Sequence, residues 1–248
     1  MKEKILIIGE TCFDVFIYGD SNRLAPEAPA PVFVPIKEEK NLGMAGNVFE
    51  NIRSLEVPVD IMTNSNFKDV TKTRYVHAST NSLLLRVDSG EEKIQPFNYA
   101  QLRDIKDYGA VLISDYCKGF LSEEAIQEIS KKHPRVFLDT KKRLGDWCKE
   151  VFLIKVNSIE FNSSDIDNLD EDIQKKIIHT AGPQGCFYKG ERFPVKKVDI
   201  KDLSGAGDTF FATLAVHYIK SGSVRDSIKF ANECATLAVQ HRGVFQGA

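Results

Sequence analysis

The octapeptide Lys201-Asp202-Leu203-Ser204-Gly205-Ala206-Gly207-Asp208 narrows the folds open to this chain more than any other stretch. It follows Phe193 to Ile200, which alternates like a strand, and precedes Thr209 to Ile219, an apolar run rich in Ala and Phe. The glycines therefore mark a strand-to-helix turn. Without a Cβ, Gly205 and Gly207 permit positive φ and let a ligand approach the backbone closely. The first turn of the helix leaves N–H groups without intrahelical partners. Together with the positive end of the helix dipole, those donors form a seat for an anion. Asp208 falls in that first turn, where the dipole favours its ionised form. A carboxylate beside an anion seat suits a hydroxyl that is aligned and deprotonated while a phosphoryl group arrives and the amides take up its charge. The plainer alternative is an ordinary tight turn with a dipole-paired Asp.

The stretch Asp202 to Asp208 reads Asp-x-(Ser/Thr)-Gly-Ala-Gly-Asp and resembles the C-terminal signature of the ribokinase-like (PfkB) carbohydrate kinases. The resemblance implies an anion hole built from the amides of Gly205, Ala206 and Gly207, with Asp208 as catalytic base facing both phosphate and sugar. It also implies an α/β fold of the ribokinase-like kind: three layers, α/β/α, with a mostly parallel central sheet and a small β-strand lid. ATP and Mg²⁺ are the cofactors it implies.

At 248 residues, 42% hydrophobic and 27% charged, the chain suits one soluble domain, residues 1–248, that buries an ample core without disulfides or metals. A net charge of −2 gives no draw toward nucleic acid or membrane. The five cysteines, Cys12, Cys117, Cys148, Cys186 and Cys234, show no metal-ligand spacing, and reduced thiols in a cytoplasmic protein account for them. The apolar run Ile5 to Ile8 is too brief for a signal peptide or a membrane span.

Ile5 to Gly9 reads as a buried strand, which places Asp14 in the loop at its C-terminal edge, where open α/β sheets hold ligands. There Asp14 binds sugar hydroxyls or serves as a turn residue. Short alternating pieces at Val15 to Tyr18 and Pro31 to Ile36 flank a proline-rich loop, giving a lid at about residues 15–37 outside the main sheet. Gly9-Glu10, Asp14, Tyr18-Gly19, Arg23 and Pro26-Glu27-Ala28-Pro29 resemble the opening of the heptose-7-phosphate kinases, a PfkB branch acting at C1 of a seven-carbon sugar phosphate.

Asn41 to Asn47 is a second glycine-rich helix entry, and Val48, Ile52 and Leu55 share one helical face beyond it. In the family this segment closes on the sugar, which implies substrate contacts for Gly43 and Asn47. Relatives have two adjacent glycines where this chain has Gly43-Met44. Between Asp60 and Thr71 a short polar segment replaces a helix and flanking strand of the relatives. Thr71 to Val76 and Ser82 to Asp88 read as two strands across an Asn81 turn, a second lid segment at 71–88. Arg23, Lys72, Arg74 and Arg86 are the cations near the lid, suited to gripping a distal phosphate and equally readable as solvated strand-face charges.

Strands at Val111 to Tyr116 and at Val136 to Leu138, the latter ending at Asp139-Thr140-Lys141, with a helix from Ser122 between them, give the alternation of a parallel sheet covered by helices. Lys118 and Lys141, at strand ends, either meet phosphate or are solvated. Asn157 and Glu160 follow the strand Phe152 to Val156 and fit a capping box. The family resemblance adds Mg²⁺ organised by the same pair through water, chemistry that oxygen donors suit. Ile177 to Gly185 resembles the family's Thr-x-Gly-x-x-Gly nucleotide loop, implying ATP contacts from Thr180, Gly182 and Gly185 and a packing role for His179. Ser204, Gly205, Gly207 and Asn157 complete the nucleotide set, with Asn232 of the last helix toward the adenine.

No G-x-x-x-x-G-K-[ST] and no strand-following G-x-G-x-x-G occurs, which removes the P-loop kinases and the main support for a dinucleotide dehydrogenase. The expectation is an ATP-dependent kinase acting on heptose 7-phosphate, with another sugar or a nucleoside as the alternative acceptor. A sugar- or nucleotide-binding protein with little catalysis is the rival class, motivated by Met44 and the short middle segment. Some relatives carry a fused nucleotidyltransferase domain; a chain ending at Ala248 is expected to perform the kinase step alone. Exposed lid strands lead to the expectation of a homodimer.

Overall fold

A computed structural model describes residues 3–102 and 104–241. Its strands and helices run in the order β1 (Ile5–Gly9), β2 (Thr11–Leu24), β3 (Pro31–Met44), α1 (Ala45–Ser54), β4 (Val59–Met62), β5 (Thr71–His77), β6 (Leu83–Ser89) and β7 (Ala110–Asp115). They continue with α2 (Glu123–Lys132), β8 (Val136–Thr140), β9 (Leu153–Asn157), α3 (Ser158–Ser163), α4 (Glu171–Gln174), β10 (Ile177–Thr180), β11 (Cys186–Tyr188), β12 (Glu191–Phe193), α5 (Ala206–Ser221) and α6 (Val224–Ala238).

Eight strands form one sheet in the order β12-β11-β10-β9-β8-β7-β1-β4. From β4 to β10 every pairing is parallel; β11 and β12 add an antiparallel hairpin at one edge. Successive strand residues point to opposite faces, so both faces must be covered for an unbroken apolar strand to be stable. Ile5, Ile7, Leu112 and Phe137 pack with α1, α5 and α6 on one side; Leu6, Ile8, Ile113 and Leu138 pack with Ile126 and Ile129 of α2 on the other. Three layers result, and α5 is buried along most of its length, as its apolar composition requires.

A separate four-stranded sheet, β3-β2-β5-β6, stands beside this body. Its strands are longer than the alternating pieces at 15–18 and 31–36 indicate: β2 and β3 each run 14 residues and pair antiparallel from Thr11–Met44 to Leu24–Pro31. Asp14 consequently lies inside β2, not in a loop after β1, and residues 41–44 are strand, with α1 starting directly at Ala45. Within the polar stretch 60–71, Ile61 and Met62 still belong to β4, the edge strand beside β1.

The expected strand from Phe193 to Ile200 is absent. β12 stops at Phe193, and residues 194–200 are irregular. Pro194 has no N–H to donate to a ladder. The apolar residues of that run, Val195, Val198 and Ile200, line a cavity instead of joining the sheet.

Candidate active site

The first turn of α5 opens onto a cavity of about 600 Å³ at the C-terminal ends of β8, β9 and β10. Gly205 caps the helix at φ +77°, a left-handed conformation that excludes most side chains. A Cβ there would also stand 2.8 Å from Asn47 Nδ2. The first intrahelical bond runs from Thr209 N to Gly205 O at 2.9 Å, so the N–H groups before Thr209 precede the helical ladder. Gly205, Ala206 and Gly207 line the cavity beside Lys155, whose Nζ would be 3.2 Å from a Cβ on Gly207.

Asp208 is 8% exposed and lines both this cavity and a second one of about 210 Å³ under the lid. Asn47 Nδ2 donates to one carboxylate oxygen at 2.7 Å and Tyr116 Oη to the other at 2.8 Å. Burial raises the Asp208 pKa and Asp139 adds to the rise, against the hydrogen bonds from Asn47 and Tyr116 and the Lys155 charge. Burial likewise holds the Tyr116 phenol well above its usual value, with Asp208 and Asp139 reinforcing it, so Tyr116 remains a donor.

The smaller cavity is lined by Asp14, Lys72, Arg74, Arg86, Asn47 and Met44, among others. Arg74 Nη1 lies 2.5 Å from Asp14 Oδ1, Arg86 forks onto Asp88 at 2.7 and 2.8 Å, and Lys72 is 3.4 Å from Glu91. Arg23 is not with them: it is exposed, pairs with Val32 near the far end of the lid, and does not line the cavity. Gly43 acts through Asp14, since a Cβ at Gly43 would come within 2.2 Å of Asp14 Oδ2. Met44 stands at φ +57°, a conformation that carries about 1–3 kcal/mol of strain for a non-glycine residue. Ser204, expected beside the nucleotide, lines this smaller cavity, with its N–H bonded to Asp202 Oδ1.

Thr180, Gly182, Gly185, Asn157 and Asn232 line the larger cavity. The Thr180 hydroxyl donates to Val156 O at 3.1 Å, and Asn232 Nδ2 to Phe193 O at 3.0 Å, which ties α6 to the sheet edge. Gly185 has φ +84°, and a Cβ there would meet Phe193 O at 2.0 Å. His179 stacks on Phe161 at 4.2 Å, a packing role.

Asn157 and Glu160 form a complete capping box, and Glu160 is also paired with Lys141. Burial works against the Lys141 charge, yet Asp139, Glu160 and Asp208 together hold its pKa above the usual lysine value. With Asn157 Oδ1 accepting from two backbone N–H groups, this pair suits a cation reached through water better than one held directly. Among the described residues no three His, Cys, Asp or Glu side chains gather into a metal site, but Asp139 Oδ1 is buried without a hydrogen-bond partner on a residue that lines the cavity. A hydrated hard cation fits that unsatisfied oxygen.

Sequence reasoning assigned no role to Tyr116, Lys155, Asp139 or Glu10. Lys155 Nζ sits 2.7 Å from Asp139 Oδ2, both side chains nearly fully buried. Glu10, fully buried, accepts the N–H groups of Tyr116 and Lys118 at 2.9 Å each and so fixes the loop carrying Tyr116. The available signal was charge inside otherwise apolar strands, as in Leu-Ile-Lys-Val.

The solved structures similar to this chain include a ribokinase of Thermotoga maritima, with a TM-score of 0.75, 16% identity and coverage of 97% of this chain and 94% of that one. An Arabidopsis thaliana ribokinase complexed with ribose and ATP superposes with a TM-score of 0.70 at 14% identity, covering 98% and 94%. At such identities the likeness establishes the fold, which is ribokinase-like. Among curated sequences, the bifunctional protein HldE of Helicobacter pylori strain J99 is 31% identical over 296 residues, spanning 97% of this chain and 64% of the relative. That of Nitratiruptor sp. is 28% identical over 288 residues, spanning 96% and 62%. The chain thus corresponds to somewhat under two thirds of these relatives' length. The profile described as pfkB family carbohydrate kinase matches residues 51–247, and the chain belongs to that family.

Proposed function

We propose that this chain transfers the γ-phosphoryl group of ATP to the C1 hydroxyl of heptose 7-phosphate. The observation that carries the reading is the position of Asp208, a buried carboxylate shared by the walls of two cavities and set in the first turn of α5. ATP takes the larger cavity, with its terminal phosphate at the Gly205–Gly207 amides and Lys155; the sugar takes the smaller one. The hydroxyl oxygen attacks the γ-phosphorus in line, its proton passes to Asp208, and ADP leaves with the bridging oxygen's electron pair. Lys155 and the helix mouth stabilise charge on the moving group without reorganising. Asn157, Glu160 and Asp139 would hold a hydrated Mg²⁺, which when bound would add to the neutralisation of phosphate charge.

Arg74 and Arg86 support a phosphorylated sugar, because both line the smaller cavity and a guanidinium paired with Asp14 or Asp88 has five N–H donors, enough to share between that carboxylate and a distal phosphate. The lid phrases that resemble heptose-7-phosphate kinases, and the 31% identity to a protein HldE, favour a heptose over a pentose or nucleoside. Incubating the protein with ATP and a panel of heptose 7-phosphate, fructose 6-phosphate, ribose and adenosine tests the assignment. Fastest ADP release with heptose 7-phosphate is expected; preference for ribose or adenosine contradicts the acceptor, and binding without ADP release supports a binding protein.

The same reading includes a homodimer through the lid. Arg86 faces the cavity, so its neighbours Leu85 and Val87 point to the opposite face, where they are 56% and 44% exposed. Val34 and Ile36 of β3 are exposed as well, giving apolar surface on both edge strands. No helix among the described residues is long and apolar enough to cross a membrane, and we place the enzyme with its soluble substrates in the cytoplasm.

A further inference from the structure

A directional chain of hydrogen bonds joins α1 and α5 and ends on Asp208. Asn51 Nδ2 donates to the backbone oxygen of Asn47 at 2.8 Å. A carbonyl only accepts, so the atom of Asn51 at that point must be its amide nitrogen. The same nitrogen lies 3.1 Å from the Asn47 side chain, which therefore presents Oδ1 to it. That leaves Asn47 Nδ2 directed at Asp208, 2.7 Å away. Behind Asn51, its own Oδ1 accepts the Thr209 hydroxyl at 2.9 Å. All three residues behind the carboxylate are buried: Asn47 2%, Asn51 3% and Thr209 1% exposed. Asn51 and Thr209 line neither cavity.

Two consequences follow for Asn47. Its carbonyl oxygen is committed to Asn51, so only its N–H side faces the site. A free amide could turn and present oxygen to a carboxylate, a repulsive contact; this one is locked. We infer that Asn51 is a positioning residue for phosphoryl transfer, which by locking the Asn47 amide keeps a donor, and never an acceptor, aimed at the carboxylate of Asp208.

The inference rests on the reading of Asp208 as the base. The charged and titratable groups facing Asp208 are Tyr116 after β7, Asp139 of β8, Lys155 of β9 and Lys141, with Asp14, Lys72, Arg74 and Arg86 of the lid across the smaller cavity; α1 contributes only the neutral amide of Asn47. The Asn47 hydrogen bond opposes the rise that burial imposes on Asp208, so releasing it moves the titration upward.

The test is Asn51→Leu, which removes the lock without adding charge, with two measurements. The ¹³C titration of the Asp208 carboxyl, identified by its loss in Asp208→Asn, is expected to move to higher pH. The acid limb of kcat/KM for whichever sugar phosphate the wild type turns over should move the same way, with kcat about tenfold lower and KM little changed. If Asn51→Leu does not fold, Asn51→Ser, too short to reach Asn47 Oδ1, takes its place with the same expectations. An unchanged titration and pH profile, with only thermal stability reduced, overturns the inference. If Asp208→Asn retains wild-type turnover while Asn51→Leu still shifts the titration, the reading of Asp208 as base fails and the lock on its carboxylate stands.

Discussion

In the proposed reaction Asp208 is the base, and a helix mouth and a burial cost act on the same carboxylate. Its pKa is raised in the folded protein, so the native state binds this proton more tightly than the unfolded chain. The stabilising contribution is fully present below the unfolded value and is lost as pH rises through the folded one; at neutral pH the ionised carboxylate weakens the fold. Asp208→Asn should therefore be at least as stable as wild type at pH 7, with the advantage shrinking toward acid, as thermal midpoints at two pH values will show. Turnover requires the ionised form, so the acid limb of the wild-type pH profile should lie above the ordinary aspartate value. Gly205→Ala should destabilise by about 1 kcal/mol in urea melts through its positive φ and the contact with Asn47 Nδ2. Gly205 and Asp208 were legible because a turn and a helix start are local facts. Tyr116 was not: its bond to Asp208 joins residues 92 positions apart, which no local pattern encodes.

The parallel strands were readable because burial on both faces writes an unbroken apolar run, as in Ile5 to Ile8. The lid strands at 71–76 and 82–88 were readable nearly whole, whereas β2 and β3 were readable only in pieces, since the exposed charged run Lys37 to Lys40 carries no apolar alternation to mark it as strand. Residues 193–200 misled for the opposite reason, their apolar alternation serving a cavity wall rather than a sheet. Within the sheet, β8 and β9 are joined by the buried Asp139–Lys155 pair. Removing one partner leaves the other charge buried and alone, so Lys155→Met should destabilise by about 3–5 kcal/mol, and Lys155→Met with Asp139→Leu should recover most of that in denaturant melts. Asn157→Ala removes the cap of α3 and should lower stability by about 1 kcal/mol by the same measurement.

The molecule as a whole places a nucleotide-sized cavity over the parallel sheet and a smaller, cation-lined cavity under the lid, with Asp208 where they meet. If the apolar outer face of the lid is a dimer interface, light scattering should report two chains per particle, and Leu85→Asp with Ile36→Asp should give monomers; a monomeric wild type refutes that assignment. Transfer itself is the sharper test. Wild type and Asp208→Asn, each supplied with γ-labelled ATP, Mg²⁺ and heptose 7-phosphate, should differ by about 10²–10⁴-fold in the rate at which label appears on the sugar, with the nucleotide still bound by both. Equal rates from the two proteins, or no label on the sugar from the wild type, would contradict a phosphoryl transfer run by this carboxylate.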